Sequence, residues 1–124
     1  MLSFLMLKNK TMVCTSIEQS NRLIELGINP NTADMGWHKA YSLREEIYKP
    51  YIKGYKLENH KTDIPAWTLY KLIQISGAEI AVRDEYVILN NSKLFKESNN
   101  VYNNLIDVIE FLIEKKEIDT INLI

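Results

Sequence analysis

PAWTLYKLIQISGAEIAVRDEYVIL, residues 65–89, is the stretch that decides the fold class. Proline suits the first position of a helix, and apolar residues follow it at helical spacing until Gly77. The pattern then changes to two short runs typical of strands, residues 79–82 and 86–89, on either side of a turn. We therefore predict a helix over residues 65–75 followed directly by a β-hairpin or by one bent strand, which indicates an α+β fold.

Two amphipathic helices flank this stretch. A helix over residues 16–26 begins at two overlapping capping boxes, one starting at Thr15 and the other at Ser16, and Gly27 follows its end. Residues 100–116 carry apolar side chains at i, i+3, i+4 and i+7, the cleanest helical period in the chain. About three helices on a short antiparallel sheet predict a small two-layer α+β domain. Because a two-stranded hairpin is marginally stable, we expect a third strand from the N-terminal leader, the middle region or the tail.

The length of 124 residues favours a single domain with its own hydrophobic core. We expect residues 1–11 to form a leader that is either disordered or an edge strand, and residues 12–124 to form the α+β domain. Residues 38–61 have the weakest pattern: residues 41–48 fit a helix, whereas Pro50 favours an irregular or extended passage.

One cysteine, Cys14, cannot form an internal disulfide, so nothing in the sequence requires an oxidising compartment. A buried, inert thiol is the better interpretation of this residue. The chain has no apolar stretch of about 20 residues and no signal-peptide pattern. We therefore expect a cytoplasmic protein with no membrane partner.

Five residues make up a candidate ligand cleft: Asp34, Trp37, His38, Tyr41 and Trp67. Asp34 and His38 are four apart, a spacing that places two metal ligands on one face of a helix. His60 and Asp63 offer a second short pair, but such pairs are common by chance and Gly36 weakens a helix between the first two. We predict no metal site and no cofactor, and core packing for both tryptophans.

Alternating aromatic and cationic residues suggest a candidate nucleic-acid site, made of Lys49, Tyr51, Lys53, Tyr55 and Lys56. Single-stranded nucleic acids need stacking platforms beside phosphate partners. The isoelectric point near 6.1 is, however, far below the basic values typical of such binders. An edge strand with one covered face would have the same alternation, and we favour that structural interpretation.

No catalytic motif is present in the sequence. It lacks the P-loop, G-x-G-x-x-G, H-E-x-x-H and G-x-S-x-G patterns, and we predict no catalytic residue. A small metal- or nucleotide-dependent hydrolase built on Asp34, His38 and His60 remains an alternative. It requires those three side chains to converge in one pocket.

Three motifs together carry a family resemblance: VCTSIEQS (residues 13–20), TADMGW (32–37) and IPAWTL (64–69). The chain resembles, over roughly residues 12–75, a group of small uncharacterised proteins of gut anaerobic bacteria, their prophages and related mobile elements. The resemblance implies an accessory protein of a mobile element in a bacterial cytoplasm. It supplies no activity and no site residue.

The function that we predict first is a non-enzymatic interaction module acting on a host or phage protein, with a homodimer as one form. Charge asymmetry could steer such partners, since residues 1–62 carry nine Lys and Arg against six Asp and Glu, and residues 63–124 carry six against ten. This hypothesis predicts an exposed apolar or aromatic patch. Single-stranded nucleic-acid binding is the less favoured alternative.

Overall fold

The computed structural model describes residues 13–41, 46–52 and 63–124. Within them, three α-helices and six β-strands form a small α+β domain, as predicted. The helices are α1 (Ile17–Glu25), α2 (Leu69–Ser76) and α3 (Val101–Glu114). The strands are β1 (Met35–Tyr41), β2 (Glu46–Ile52), β3 (Ile64–Ala66), β4 (Ile80–Arg83), β5 (Tyr86–Leu89) and β6 (Lys93–Phe95), with 3₁₀ helices at Pro30–Thr32 and Thr120–Asn122.

The described strands form two antiparallel sheets rather than the single sheet that we predicted. The first sheet has the strand order β2-β1-β3, and the second has the order β4-β5-β6. In the first sheet β1 pairs with β2 along its whole length, but with β3 only over residues 35–37. Among the described residues, β2 is therefore an edge strand.

Residues 35–41 and 46–52 form strands, so the prediction of a helix over residues 41–48 is wrong at both of its described ends. Tyr41 ends β1, and residues 46–48 begin β2. Proline at position 50 cannot lie inside a helix without breaking it, whereas an edge strand tolerates it. Tertiary pairing between the two strands decides the conformation where local preference is weak.

The prediction that a helix begins at Pro65 is also wrong. Pro65 lies in β3 opposite Gly36, and α2 begins only at Leu69. The Thr68 hydroxyl caps the helix by accepting a hydrogen bond from the Lys71 backbone N–H at 3.1 Å. A proline in an edge strand loses no hydrogen bond of the sheet when its missing N–H would face solvent. Pro65 is therefore as compatible with β3 as it would be with the first position of a helix.

The other two predicted helices are confirmed. Of the two possible capping boxes, the structure has the one in which Ser16 and Gln19 bond each other's backbone N–H. Gly27 follows α1 with a φ of +96°, the left-handed conformation that favours glycine. Asn100 caps α3 through the Tyr102 backbone N–H at 2.8 Å.

The predicted hairpin is present as β4 and β5, but its third strand has an unexpected source. Directly after β5, Asn90 and Asn91 adopt φ values of 52° and 58°, and the chain returns as β6. Asparagine is one of the few residues that tolerate this conformation, so the pair forms a tight turn. The tail, which we considered as an edge strand, instead forms a 3₁₀ helix, with one bridge between Ile28 and Leu123.

The main hydrophobic core lies where α1, α2 and α3 pack together and against the second sheet. Its fully buried members include Leu23, Trp67, Leu72, Leu105 and Ile109. A smaller cluster under the first sheet contains Cys14, Met35 and Ala66, with Trp37 packed at its border. The first sheet therefore has a small core of its own beside the main one.

Candidate functional site

The two faces of the β1–β2 hairpin differ in chemistry. Side chains directly opposite each other on paired strands lie on the same face of a sheet. The register pairs Gly36 with Tyr51 and His38 with Lys49. The alternate pairs, Met35 with Ile52 and Trp37 with Pro50, lie on the other face. We call these the polar face and the apolar face.

A hydrogen-bonded cluster of three side chains occupies the polar face. The Nδ1 atom of His38 lies 3.1 Å from Oδ1 of Asp63, and the Tyr51 hydroxyl donates to Oδ2 of Asp63 at 2.5 Å. The Asp63 side chain is only 6% exposed, and that of His38 is 26% exposed. Both carboxylate oxygens of Asp63 thus make a hydrogen bond, one to a side chain of β1 and one to a side chain of β2. Asp63 itself directly precedes β3, so these two bonds link all three strands of the first sheet.

This cluster could orient a histidine for proton transfer or could simply brace the sheet. A carboxylate beside Nδ1 favours the imidazole tautomer with its hydrogen on that nitrogen, as in catalytic His–Asp pairs. Acyl transfer would also need a nucleophile and an oxyanion pocket, whereas the hydrogen bonds given above for His38 and Tyr51 both end on the Asp63 carboxylate. The geometry alone therefore supports bracing.

Gly36 makes the cluster possible because the Tyr51 ring lies directly against its backbone. A Cβ atom at position 36 would lie 2.9 Å from both Cζ and the hydroxyl oxygen of Tyr51. Burial, the hydrogen bond to Asp63 and the negative charge of that carboxylate raise the Tyr51 pKa to about 12. A glycine within a strand often indicates such a close approach, although the sequence does not say to which residue.

We expect Gly36→Ala to destabilise the protein by about 1–3 kcal/mol, because the new methyl group must displace the Tyr51 ring. Urea denaturation measures the loss of unfolding free energy. In the double variant Gly36→Ala/Tyr51→Ala the Tyr51 ring is absent, so the new methyl group meets no clash. Tyr51→Ala should therefore lower the unfolding free energy less in the Gly36→Ala background than in the wild type. Additive costs would contradict the proposed clash.

The five residues of the predicted ligand cleft do not share one set of contacts. Asp34 accepts hydrogen bonds from the Thr68 backbone N–H at 2.9 Å and hydroxyl at 2.5 Å, and so supports the start of α2. His38 instead contacts Asp63 and Tyr51. The helical spacing argument fails because β1 is extended, where four residues span about 13 Å rather than one helical turn.

The two tryptophans of that cleft have structural contacts. Trp37 donates from Nε1 to the Thr15 carbonyl at 2.8 Å. Trp67 is fully buried and donates from Nε1 to the Thr32 hydroxyl at 3.0 Å. Tyr41 is placed at the end of β1 by its backbone alone. Trp67 is therefore packed in the main core, as predicted, whereas Trp37 lies at the border of the smaller cluster.

The candidate nucleic-acid residues are described only in part. Lys49 and Tyr51 lie on the polar face of β2, whereas Lys53, Tyr55, Lys56 and also His60 lie outside the described residues. The Tyr51 ring packs on Gly36 and its hydroxyl is bonded to Asp63, which leaves less ring surface for base stacking. This arrangement favours the edge-strand interpretation over a stacking platform.

The apolar face carries exposed apolar side chains next to the smaller core cluster. Along β2, Tyr48 is 38% exposed, Pro50 is exposed and Ile52 is 65% exposed. Trp37, opposite Pro50, is partly exposed at the border of the buried cluster. An exposed apolar or aromatic patch, which the interaction hypothesis requires, is thus present at this face.

Two connected grooves lie along α3. A polar groove of about 760 Å³ runs between α1 and α3, and one of about 330 Å³ runs between β6 and α3. Glu97 and Asp107 line both grooves. Between α1 and α3, Arg22 bonds Asp107 at 2.7 Å and Glu110 at 3.4 Å.

Cys14 is buried, as predicted. Burial, and then the negative charge of Asp34, raise the pKa of its thiol to about 11. We expect Ellman's reagent at pH 8 to modify the folded protein at least about a hundredfold more slowly than the urea-unfolded chain, because only about one thiol in a thousand is ionised. Rates within tenfold of each other would contradict this placement.

Within the part of the chain that the structure describes, no group of three or more His, Cys, Asp or Glu side chains could hold a metal ion. No helix among the described residues is long and apolar enough to span a bilayer. Comparisons with family models, curated proteins and solved structures found no match to this chain. The likeness to mobile-element proteins stays a prediction, and function has to be argued from the surfaces themselves.

Proposed function

We propose that this protein is a non-enzymatic interaction module that binds a partner protein through the apolar face of its first sheet. The observation that carries the proposal is the exposure of Tyr48, Pro50 and Ile52 along one face of an edge strand. Large exposed apolar side chains that adjoin one another are characteristic of interaction surfaces. The resemblance to mobile-element proteins adds the expectation that the partner is a host or phage protein.

The proposed partner contacts the face with apolar side chains and does not extend the sheet. Prolines in edge strands place their nitrogen toward solvent, so Pro50 removes a donor that an added strand would need. Trp37, Tyr48, Pro50 and Ile52 carry no charge, which favours a mainly apolar partner surface, and the strand register pairs Tyr48 with one lysine, Lys39. Burying this area is worth about 25 cal/mol per Å², and a partner that covers Ile52 and Tyr48 gains most.

Ile52→Lys should abolish partner binding, because it places a charge within the apolar contact at a residue of β2 that is 65% exposed. Tyr70→Lys is the matched control, since Tyr70 is 74% exposed on α2 and lies outside the face. Each tagged variant is used to capture proteins from lysate of the cells that encode it, and each captured protein is then purified and titrated by calorimetry.

A protein that binds the wild type and Tyr70→Lys directly, but not Ile52→Lys, supports the proposal. Equal binding by all three variants, or no direct binding, contradicts it. Native mass spectrometry of the same samples identifies the case in which the bound partner is a second copy of this chain. A dimer that Ile52→Lys dissociates would assign the apolar face to self-association.

A further inference from the structure

The groove between β6 and α3 has an aromatic floor, and we call it the aromatic groove. Its floor is formed by Phe95 and Phe111, whose ring centroids are 5.9 Å apart in an edge-to-face arrangement. Leu94, 46% exposed, adds apolar surface at its edge. This groove is separate from the apolar face, because it is lined by β6, α3 and the residues that join them.

Two lysine ammonium groups of the protein itself lie over the aromatic rings of this groove. The Nζ atom of Lys93 lies 5.0 Å from the centroid of Phe111 and 5.6 Å from that of Phe95. The Nζ atom of Lys115 lies 5.5 Å from the Phe111 centroid. Ammonium groups within about 6 Å of a ring centroid are attracted by the ring quadrupole. The floor is thus a surface on which positive charge is favourable.

The rim of the aromatic groove is acidic, and the adjoining polar groove continues this charge. Together the two grooves are lined by six carboxylates against two cations, Arg22 and Lys93. The carboxylates are those of Glu18, Glu25, Glu97, Asp107, Glu110 and Glu114. Such a surface attracts a positively charged partner and repels phosphate backbones, so it is unsuited to nucleic acids.

We propose that these connected grooves bind a basic segment of a partner protein, with one arginine side chain over Phe111 in place of Lys93. A guanidinium is planar and weakly hydrated, so it stacks on an aromatic ring better than the ammonium that it replaces. Further cations of the segment lie along the carboxylates of the polar groove. Among the described residues, no three carboxylates lie close enough together to hold a metal ion, which argues against a divalent cation as the occupant.

A synthetic peptide of alternating arginine and glycine, labelled with fluorescein, tests the proposal by fluorescence anisotropy at low salt. Its control replaces each arginine by citrulline, which keeps the shape of the side chain and removes its charge. We expect saturable binding of the arginine peptide and none of the citrulline peptide. Phe111→Leu should weaken binding by at most about fivefold, since a cation–π contact contributes about 1 kcal/mol and Lys93 gives up its own contact with the ring, whereas Tyr70→Leu should leave the affinity unchanged.

Two lysine variants test whether the arginine of the peptide occupies the rings or is held only by the negative charge of the grooves. Lys93→Met and Lys96→Met each remove one positive charge, so they change the overall attraction equally. Of these two lysines, Lys93 is the one whose ammonium group lies over the rings, so Lys93→Met should tighten binding severalfold more than Lys96→Met does. Equal effects of the two variants, an unchanged affinity in Phe111→Leu, or no saturable binding would each overturn the proposal. Ile52→Lys should bind the arginine peptide as tightly as the wild type does, because Ile52 lies outside both grooves. The peptide experiment can therefore fail without contradicting the apolar-face proposal, and the reverse is also true.

Discussion

Trp67→Ala should lower the free energy of unfolding by about 3–5 kcal/mol, the largest effect that we expect from a single substitution in the described residues. Trp67 is fully buried, and its indole donates to the Thr32 hydroxyl at 3.0 Å. Its backbone exchanges two hydrogen bonds with Thr15, at 2.8 Å from the Thr15 N–H and 3.1 Å to the Thr15 hydroxyl. The residue therefore joins β3, α2 and the start of α1.

Urea denaturation followed by circular dichroism measures this loss. Trp67→Phe keeps most of the buried volume and loses the hydrogen bond to Thr32, so it should cost markedly less than alanine. Tyr70→Ala, on the exposed side of α2, should change the unfolding free energy by no more than about 0.5 kcal/mol. A Trp67→Ala variant as stable as Tyr70→Ala would show that this junction does not stabilise the domain.

Asp63→Ala should be the second most damaging substitution, with a loss of about 2–4 kcal/mol. Its almost fully buried carboxylate is bonded to both His38 and Tyr51, and its removal takes a partner from each. Asp84→Ala in the exposed turn between β4 and β5 is the matched control and should be nearly neutral. Equal stabilities of the two variants would mean that the cluster does not brace the first sheet.

Alkaline pH tests the same cluster through Tyr51. Its pKa is raised from about 10 to about 12 in the folded protein, chiefly by burial and then by Asp63. A raised pKa contributes stability that is complete below pH 10 and is lost as the pH rises towards 12. Burial raises the Tyr102 pKa as well, so the comparison is between wild type and Tyr51→Phe. Between pH 10 and pH 12 the unfolding free energy should fall less in Tyr51→Phe than in the wild type. Equal falls in the two proteins would contradict the contribution of Tyr51.

Local patterns explain which helices and strands the sequence predicts. The Ser16 capping box, the Asn100 cap and the apolar period of α3 are properties of neighbouring residues, so the sequence contains them in full. The β4–β5 hairpin likewise follows from two runs joined by a short turn. In the second sheet, β6 was not predicted, because its three residues are too few to give an alternating pattern.

In the first sheet, the edge strand favoured for the Tyr–Lys segment is present as β2, but β1 and β3 were missed because their pattern depends on tertiary contacts. Met35 and Trp37 cover a small core, but the alternate positions hold Gly36 and His38, which face the cluster at Asp63. That contact links β1 to the start of β3 and arises from strand pairing, which spacing along the chain does not contain. For the same reason Asp34 resembled a metal ligand, although its carboxylate supports the start of α2.

A photocrosslinker at position 52 is the most direct test of the interaction proposal. Benzoylphenylalanine replaces Ile52 in one variant and Tyr70 in another, and both are irradiated in the cells that encode the protein. Our account predicts a crosslinked protein, identified by mass spectrometry, from position 52 and not from position 70. The absence of any product from position 52, or the same products from both positions, would contradict the assignment of the apolar face as a binding surface.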